Sequence, residues 1–214
     1  WLTSAIQAGH VEQGYFQYQG SLNKGSAPES RSLSLYFAVK DAELEYQPGW
    51  PALTEAAGEV LIEDSGVRIS ITQGKILNSA VTSAYAEVAH VASAQAPVLQ
   101  LYAELHSSLT DGLYFLQKTP IAQNAPAFAA WQGKGDLPVK LNLVVPLAAQ
   151  APVEVKLALD AQGVELDMPE INLQLRELSA RFEFDSQSGL SAKKVTGQFL
   201  GQRFAGDIEA GGRV

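Results

Sequence analysis

Apolar and polar residues alternate along most of this chain with a period of two. In Val139-Lys140-Leu141-Asn142-Leu143 the apolar residues take one side of an extended backbone, and Lys140 and Asn142 take the other. The pattern fills Val153-Glu154-Val155-Lys156-Leu157-Ala158-Leu159-Asp160 and Val67-Arg68-Ile69-Ser70-Ile71-Thr72. It returns in Ile171-Asn172-Leu173-Gln174-Leu175-Arg176 and in Phe182-Glu183-Phe184-Asp185. Successive side chains of a strand point to opposite sides, so a period of two predicts strands with one dry and one wet face. Similar stretches around Phe16, Leu35, Val60, Ile76, Val81 and Leu101 bring the expected total to about a dozen strands. Short breaks such as Glu63-Asp64-Ser65-Gly66 and Asp185-Ser186-Gln187-Ser188-Gly189 read as hairpin turns. The predicted fold is mostly β, an antiparallel meander.

Two segments interrupt the alternation. Leu109 to Lys118 (LTDGLYFLQK) offers Thr110 or Asp111 as an N-cap and stops before Pro120, which predicts a short helix. Trp1 to Ala8, closed by Gly9, reads as the end of another. Residues 122–134, rich in Ala, Gln and Pro, read as a loop.

The chain also resembles itself. Leu53-Thr54-Glu55 followed by Gly58, Val60, Ile62 and Gly66 matches Leu175-Arg176-Glu177 followed by Ala180, Phe182, Phe184 and Gly189. The offset is 122 residues, rising to 123 after an insertion in the turn. Phe37 and Leu44 match Leu159 and Leu166 upstream, and Gly74, Ile76 and Val81 match Gly197, Phe199 and Phe204 downstream. Two repeats are expected, residues 1–108 and 109–214, and repeats of one unit build elongated proteins.

Something must cover the dry face. A dozen strands present on the order of 1,100 Å² of it, whereas two short helices cover only roughly 280 Å². The sheet must therefore fold over as a sandwich, close as a barrel, or curl into a trough with a hydrophobic guest. The face is mostly Val, Leu, Ile and Phe, with few polar groups to orient a specific ligand, which suits acyl chains. Alternation alone leaves the trough and a closed sandwich both open. The sandwich would be a structural or adhesive module binding protein or carbohydrate through its loops.

Composition narrows the partners. With 46% hydrophobic and 18% charged residues the chain can bury a core. Its net charge is −8, and its 15 Lys and Arg residues are scattered, with Lys193-Lys194 the one basic pair. Nucleic acid wants a basic stripe, so none is expected as a partner. There are no cysteines, which excludes disulfides and thiolate metal sites. No apolar run is long enough to span a bilayer as a helix. The chain begins at Trp1, and is read as an excerpt of a longer protein.

Catalytic chemistry finds no foothold. His10, His90 and His106 have no HExxH or paired-ligand spacing, so no metal is expected. There is no G-x-S-x-G elbow and no GK[ST] P-loop. Gly133-Lys134-Gly135 precedes a strand where a dinucleotide site needs a helix. Glu43, Glu45, Asp64 and Glu183 fall at wet strand positions or turns rather than as a glycosidase pair, and Trp50 and Trp131 read as packing anchors. The expectation is a non-enzyme without cofactor or catalytic residues.

Several landmarks follow in order: Gly49-Trp50-Pro51-Ala52-Leu53 into Gly58-Glu59-Val60, then Leu116-Gln117-Lys118-Thr119-Pro120-Ile121. Val139-Lys140-Leu141-Asn142-Leu143-Val144-Val145-Pro146-Leu147 and Gly201-Gln202-Arg203-Phe204 complete the set. In this order they resemble the central region of YhdP-type proteins of the AsmA-like group, over most of the chain. The resemblance implies a curled antiparallel sheet, an open groove resembling bridge-like lipid-transfer proteins. It implies a segment of a periplasm-spanning protein of Gram-negative bacteria, anchored in the inner membrane by a part outside this segment. Phospholipids would be the partners, their acyl chains carried towards the outer membrane in support of its permeability barrier. The expected lining is Val67, Ile69, Ile71, Leu141, Leu143, Val155, Leu157, Phe182 and Phe184.

Overall fold

A computed structural model describes residues 6–21, 30–89, 96–147 and 152–209. The alternating stretches become β1 (Ile6–Gly20), β2 (Arg31–Leu44), β3 (Leu53–Glu63), β4 (Gly66–Ile76), β5 (Ser79–Val88) and β6 (Val98–Ser108). Helix α1 (Leu109–Lys118) follows, then β7 (Gln132–Lys134), β8 (Asp136–Pro146), β9 (Glu154–Met168), β10 (Leu173–Asp185), β11 (Gly189–Phe199) and β12 (Gln202–Ile208). All belong to one 12-stranded sheet in the order β1-β2-β3-β4-β5-β6-β8-β9-β10-β11-β12, with β7 paired to β9. Every pairing is antiparallel.

The sheet is open and single: its edges, β1 and β12, do not pair with each other. A curled open sheet is thus the fold, and neither the closed sandwich nor a barrel. It continues across residues 108 and 109, where β6 pairs with β8 over its whole length.

The expected helix at 109–118 is present. Ser108 caps it, its Oγ accepting from Asp111 N at 3.1 Å, rather than Thr110 or Asp111, which lie two and three residues further on. Three local expectations need correction. Residues 6–8 of the expected N-terminal helix are strand, because β1 gains a hydrogen-bonded partner in β2 that so short a helix lacks; residues 1–5 lie outside the described set. Residues 122–134 are not a plain loop, for β7 ends the stretch and 3-10 turns occupy Pro120–Asn124 and Pro126–Phe128. Pro169–Ile171 is a 3-10 turn followed by Asn172 at φ 52°, so the strand expected from Ile171 begins at Leu173 and runs on through Phe182 and Phe184.

Two buried clusters lie on the dry face, both towards the end of the sheet where α1 sits. The larger joins Leu113 of α1 to Leu137, Ala161, Val164, Leu166, Met168, Leu178, Ala180, Ala192 and Val195. The smaller holds Leu53, Ala56 and Val81.

Candidate functional site

The cross-strand register shows how the dry face is assembled. Directly paired residues share a face, and the pairs Val60–Ile69, Ile69–Ala86, Ala86–Leu101, Leu101–Leu143 and Leu143–Val155 form a row across β3 to β9. A second row links Ile71, Ala84, Ala103, Leu141, Leu157, Phe184 and Leu190. Val67 lies in a third row with Ile62, Val88, Leu99 and Val145, and Phe182 in a fourth with Leu105, Val139, Leu159 and Ala192. The expected lining residues Val67, Ile69, Ile71, Leu141, Leu143, Val155, Leu157, Phe182 and Phe184 therefore share one face, and all are partly exposed. The rows run across the strands, so the second extends roughly 30 Å at the ordinary strand spacing.

Strict alternation would not keep this face dry along whole strands. A one-residue slip turns every following side chain over, and several strands contain such a slip between two apolar residues separated by a polar or glycine-containing pair. Examples are Val39–Ala42 across Lys40-Asp41, Leu53–Ala56 across Thr54-Glu55, Ala161–Val164 across Gln162-Gly163, and Leu175–Leu178 across Arg176-Glu177. The same happens at Ala192–Val195 across Lys193-Lys194. These are β-bulges, which return the next apolar residue to the dry side and bend the strand. Asp41, Glu55, Glu177 and Lys194 take φ of 50°, 50°, 51° and 55° there, and Gly163 takes 67°. Asp41 and Gly163 are 122 residues apart, as are Glu55 and Glu177, so the sequence repeat is also a repeat of backbone geometry.

The bulges divide the dry face. On the α1 side it is covered, with Val164 1%, Val81 4% and Leu178 5% exposed. On the far side lie the three rows that hold Val67, Ile69 and Leu141, where these large side chains are partly exposed, although Ala103 of the Leu141 row is buried and its Ile71 and Ala84 pack against the smaller cluster. Large apolar residues of β1 extend that open surface, with Phe16 67% and Val11 64% exposed; Phe16 pairs with Leu35 and Val11 with Val39.

The wet face is a lattice of exposed charge pairs. Lys140 Nζ meets Glu104 Oε1 at 2.7 Å, Lys156 meets Asp185 at 3.5 Å, and Arg68 pairs with Glu63. Lys140 and then the Tyr102 hydroxyl hold the Glu104 carboxyl below its ordinary range, while the backbone N–H of Gln187 does most to lower Asp185. Shallow open depressions of 440 and 220 Å³ lie over this face, the larger beside Tyr102, Lys140, Asn142 and Lys156. In the larger depression the charges are matched in pairs, Lys140 with Glu104, Lys156 with Asp185 and Glu183 with Arg181. His106 lies beside the smaller depression, and His10 is on β1; His90 is outside the described residues.

The covered end explains landmarks that the alternation does not. Trp50 stacks obliquely on Phe115 of α1 with ring centroids 6.2 Å apart, and a Cβ on Gly49 would sit 3.5 Å from Pro120 Cγ. The Gly-Trp-Pro and Thr-Pro-Ile segments, some 70 residues apart in sequence, thus touch. Thr119 donates to Phe115 O at 2.6 Å and accepts from Ile121 N at 3.3 Å. Gln117 Nε2 donates to the carbonyls of Phe128 and Trp131.

A family model described as "YhdP protein" matches residues 1–213. The chain belongs to the YhdP family. Searches of curated proteins and of solved structures find no match. The YhdP family is one of bacterial envelope proteins, and no helix among the described residues is long and apolar enough to cross a membrane.

Proposed function

We propose that this chain is a segment of a phospholipid carrier that spans the periplasm from an inner-membrane anchor and delivers lipid towards the outer membrane. Acyl chains lie along the apolar rows and headgroups project into water at the open side of the groove. The role is carriage rather than catalysis. Burial of each methylene contributes roughly 0.8 kcal/mol, enough to retain a chain. The uniform aliphatic lining offers no polar group to fix one position, so the chain slides.

The observation that carries this reading is the set of apolar cross-strand neighbours, running from β3 to β9 in one row and from β4 to β11 in the next, whose large side chains stay partly exposed on the far side of the bulges. A bare surface of that extent invites aggregation unless something lies on it. Photo-crosslinking in cells tests the idea, with a photoreactive residue replacing Leu141 or Lys140 in the full-length protein. The expected result is phospholipid attached at Leu141 and none at Lys140. No lipid at either, in folded and abundant protein, would sink the reading.

A further inference from the structure

We infer that helix α1 is a brace that sets one edge of the lipid lane, and that Asp111 is the positioning residue that holds it in place. This rests on the lipid-carrying reading above. Leu137 and Leu141 are both dry-side residues of β8, two alternations apart, or about 13 Å. Leu141 is partly exposed, whereas Leu137 is 6% exposed and packs in the cluster that holds Leu113 of α1. A Cβ on Gly112 would lie 3.5 Å from Leu137 Cδ2, so the helix backbone itself closes over that residue. Both side chains are leucine on one face of one strand. What separates lane from core is the helix.

The helix needs an anchor, because 10 residues do not hold a helix by themselves. Asp111 supplies it. Its carboxylate is 4% exposed and accepts from Asn78 N at 3.1 Å, Asn78 Nδ2 at 3.2 Å and Ser79 Oγ at 2.7 Å. Those groups form the turn between β4 and β5, so a carboxylate in the first turn of α1 is tied to a distant hairpin. A buried carboxylate held by three donors is costly to detach.

The sheet beneath needs the brace. The β8 and β9 strands pair only between residues 139–144 and 154–159. Beyond Val139, β7 takes over the edge of β9, at residues 165–167. The two long strands therefore part under α1, and Leu113 fills the gap against Leu137 and Val164. Releasing the helix exposes that gap and widens the lane.

Photo-crosslinking within the full-length protein in cells tests this, with the reactive residue at 137 or 141 and attached phospholipid as the readout. In the otherwise unchanged protein, capture at 137 is expected to be about tenfold or more below capture at 141. Asp111→Ala should raise capture at 137 severalfold while capture at 141 persists, which also reports that the sheet still folds. Tyr114→Ala, on the exposed side of the same helix (43% exposed), should leave both unchanged. If the Asp111→Ala protein does not accumulate, Asn78→Ala removes one donor and should shift the pattern in the same direction. Equal capture at 137 and 141 in the unchanged protein overturns the inference, as does no gain at 137 in either variant with 141 intact. Absence of lipid at 141 in the unchanged protein overturns the carrier reading itself.

Discussion

On β9, Leu157 and Val164 lie on the same face of the same strand and meet opposite surroundings. Val164 is 1% exposed, closed in by Leu113, Leu137 and Leu178. Leu157 is partly exposed, with its row neighbours Leu141 and Phe184 on either side. The bulge at Gln162-Gly163 separates them. It keeps both on the dry side and lies between a region that is covered and one that is left partly exposed. The comparison teaches that apolar character does not by itself mean core: the same residue types are found buried or partly exposed, according to whether another part of the chain covers them.

The strongest way to break this distinction is to place a charge in each region. Leu178→Asp, in the closed region, should cost on the order of 4 kcal/mol or more, because a carboxylate there has neither water nor partner. Denaturant unfolding or loss of the accumulated protein would register it. A cost near zero would mean that the covered region is not the core.

A smaller structural effect and a larger functional one are expected in the open region. Ile69→Asp should cost only about 1–2 kcal/mol, since its carboxylate reaches water, yet it should block lipid passage. Arg68→Asp, on the wet face next to it, should leave passage intact. Rescue of outer-membrane barrier function at equal protein abundance distinguishes the two. Equal effects of the two substitutions would remove the functional meaning of the dry face.

The smallest effect sharpens the picture of the turns. Leu200, in the turn between β11 and β12, is 83% exposed at φ 50°, and Leu77 occupies the matching turn 123 residues earlier at φ 58°. A left-handed conformation costs a leucine roughly 1–2 kcal/mol, partly offset by the greater freedom glycine has when unfolded. Leu200→Gly should therefore raise stability by about 0.5–1 kcal/mol, seen as a higher denaturation midpoint.

Much of this was legible in the chain alone. Alternation in Val139–Leu143 or Val67–Ile71 specifies which side chains share a face, because a strand repeats every two residues wherever it lies. Short polar turns specify antiparallel neighbours, and the Leu-Thr-Asp-Gly-Leu run with its following proline marks α1. The nine residues named from the alternation therefore share one face. The bulges were legible too, though less plainly: pairs such as Lys40-Asp41, Thr54-Glu55 and Arg176-Glu177 interrupt the alternation where the backbone slips. Read as strict alternation, they hide a change of phase.

Tertiary structure alone decided which part of the dry face is closed. That choice depends on contacts between residues distant in sequence, Asp111 with Asn78 and Ser79, Trp50 with Phe115, Leu113 with Val164. No local pattern encodes them. It likewise decided that the sheet stays open, since the same alternating strands could cover their apolar side with a second sheet. A strand's sequence determines that it has a dry face, because that follows from local geometry; what meets the face follows from how the whole chain is arranged.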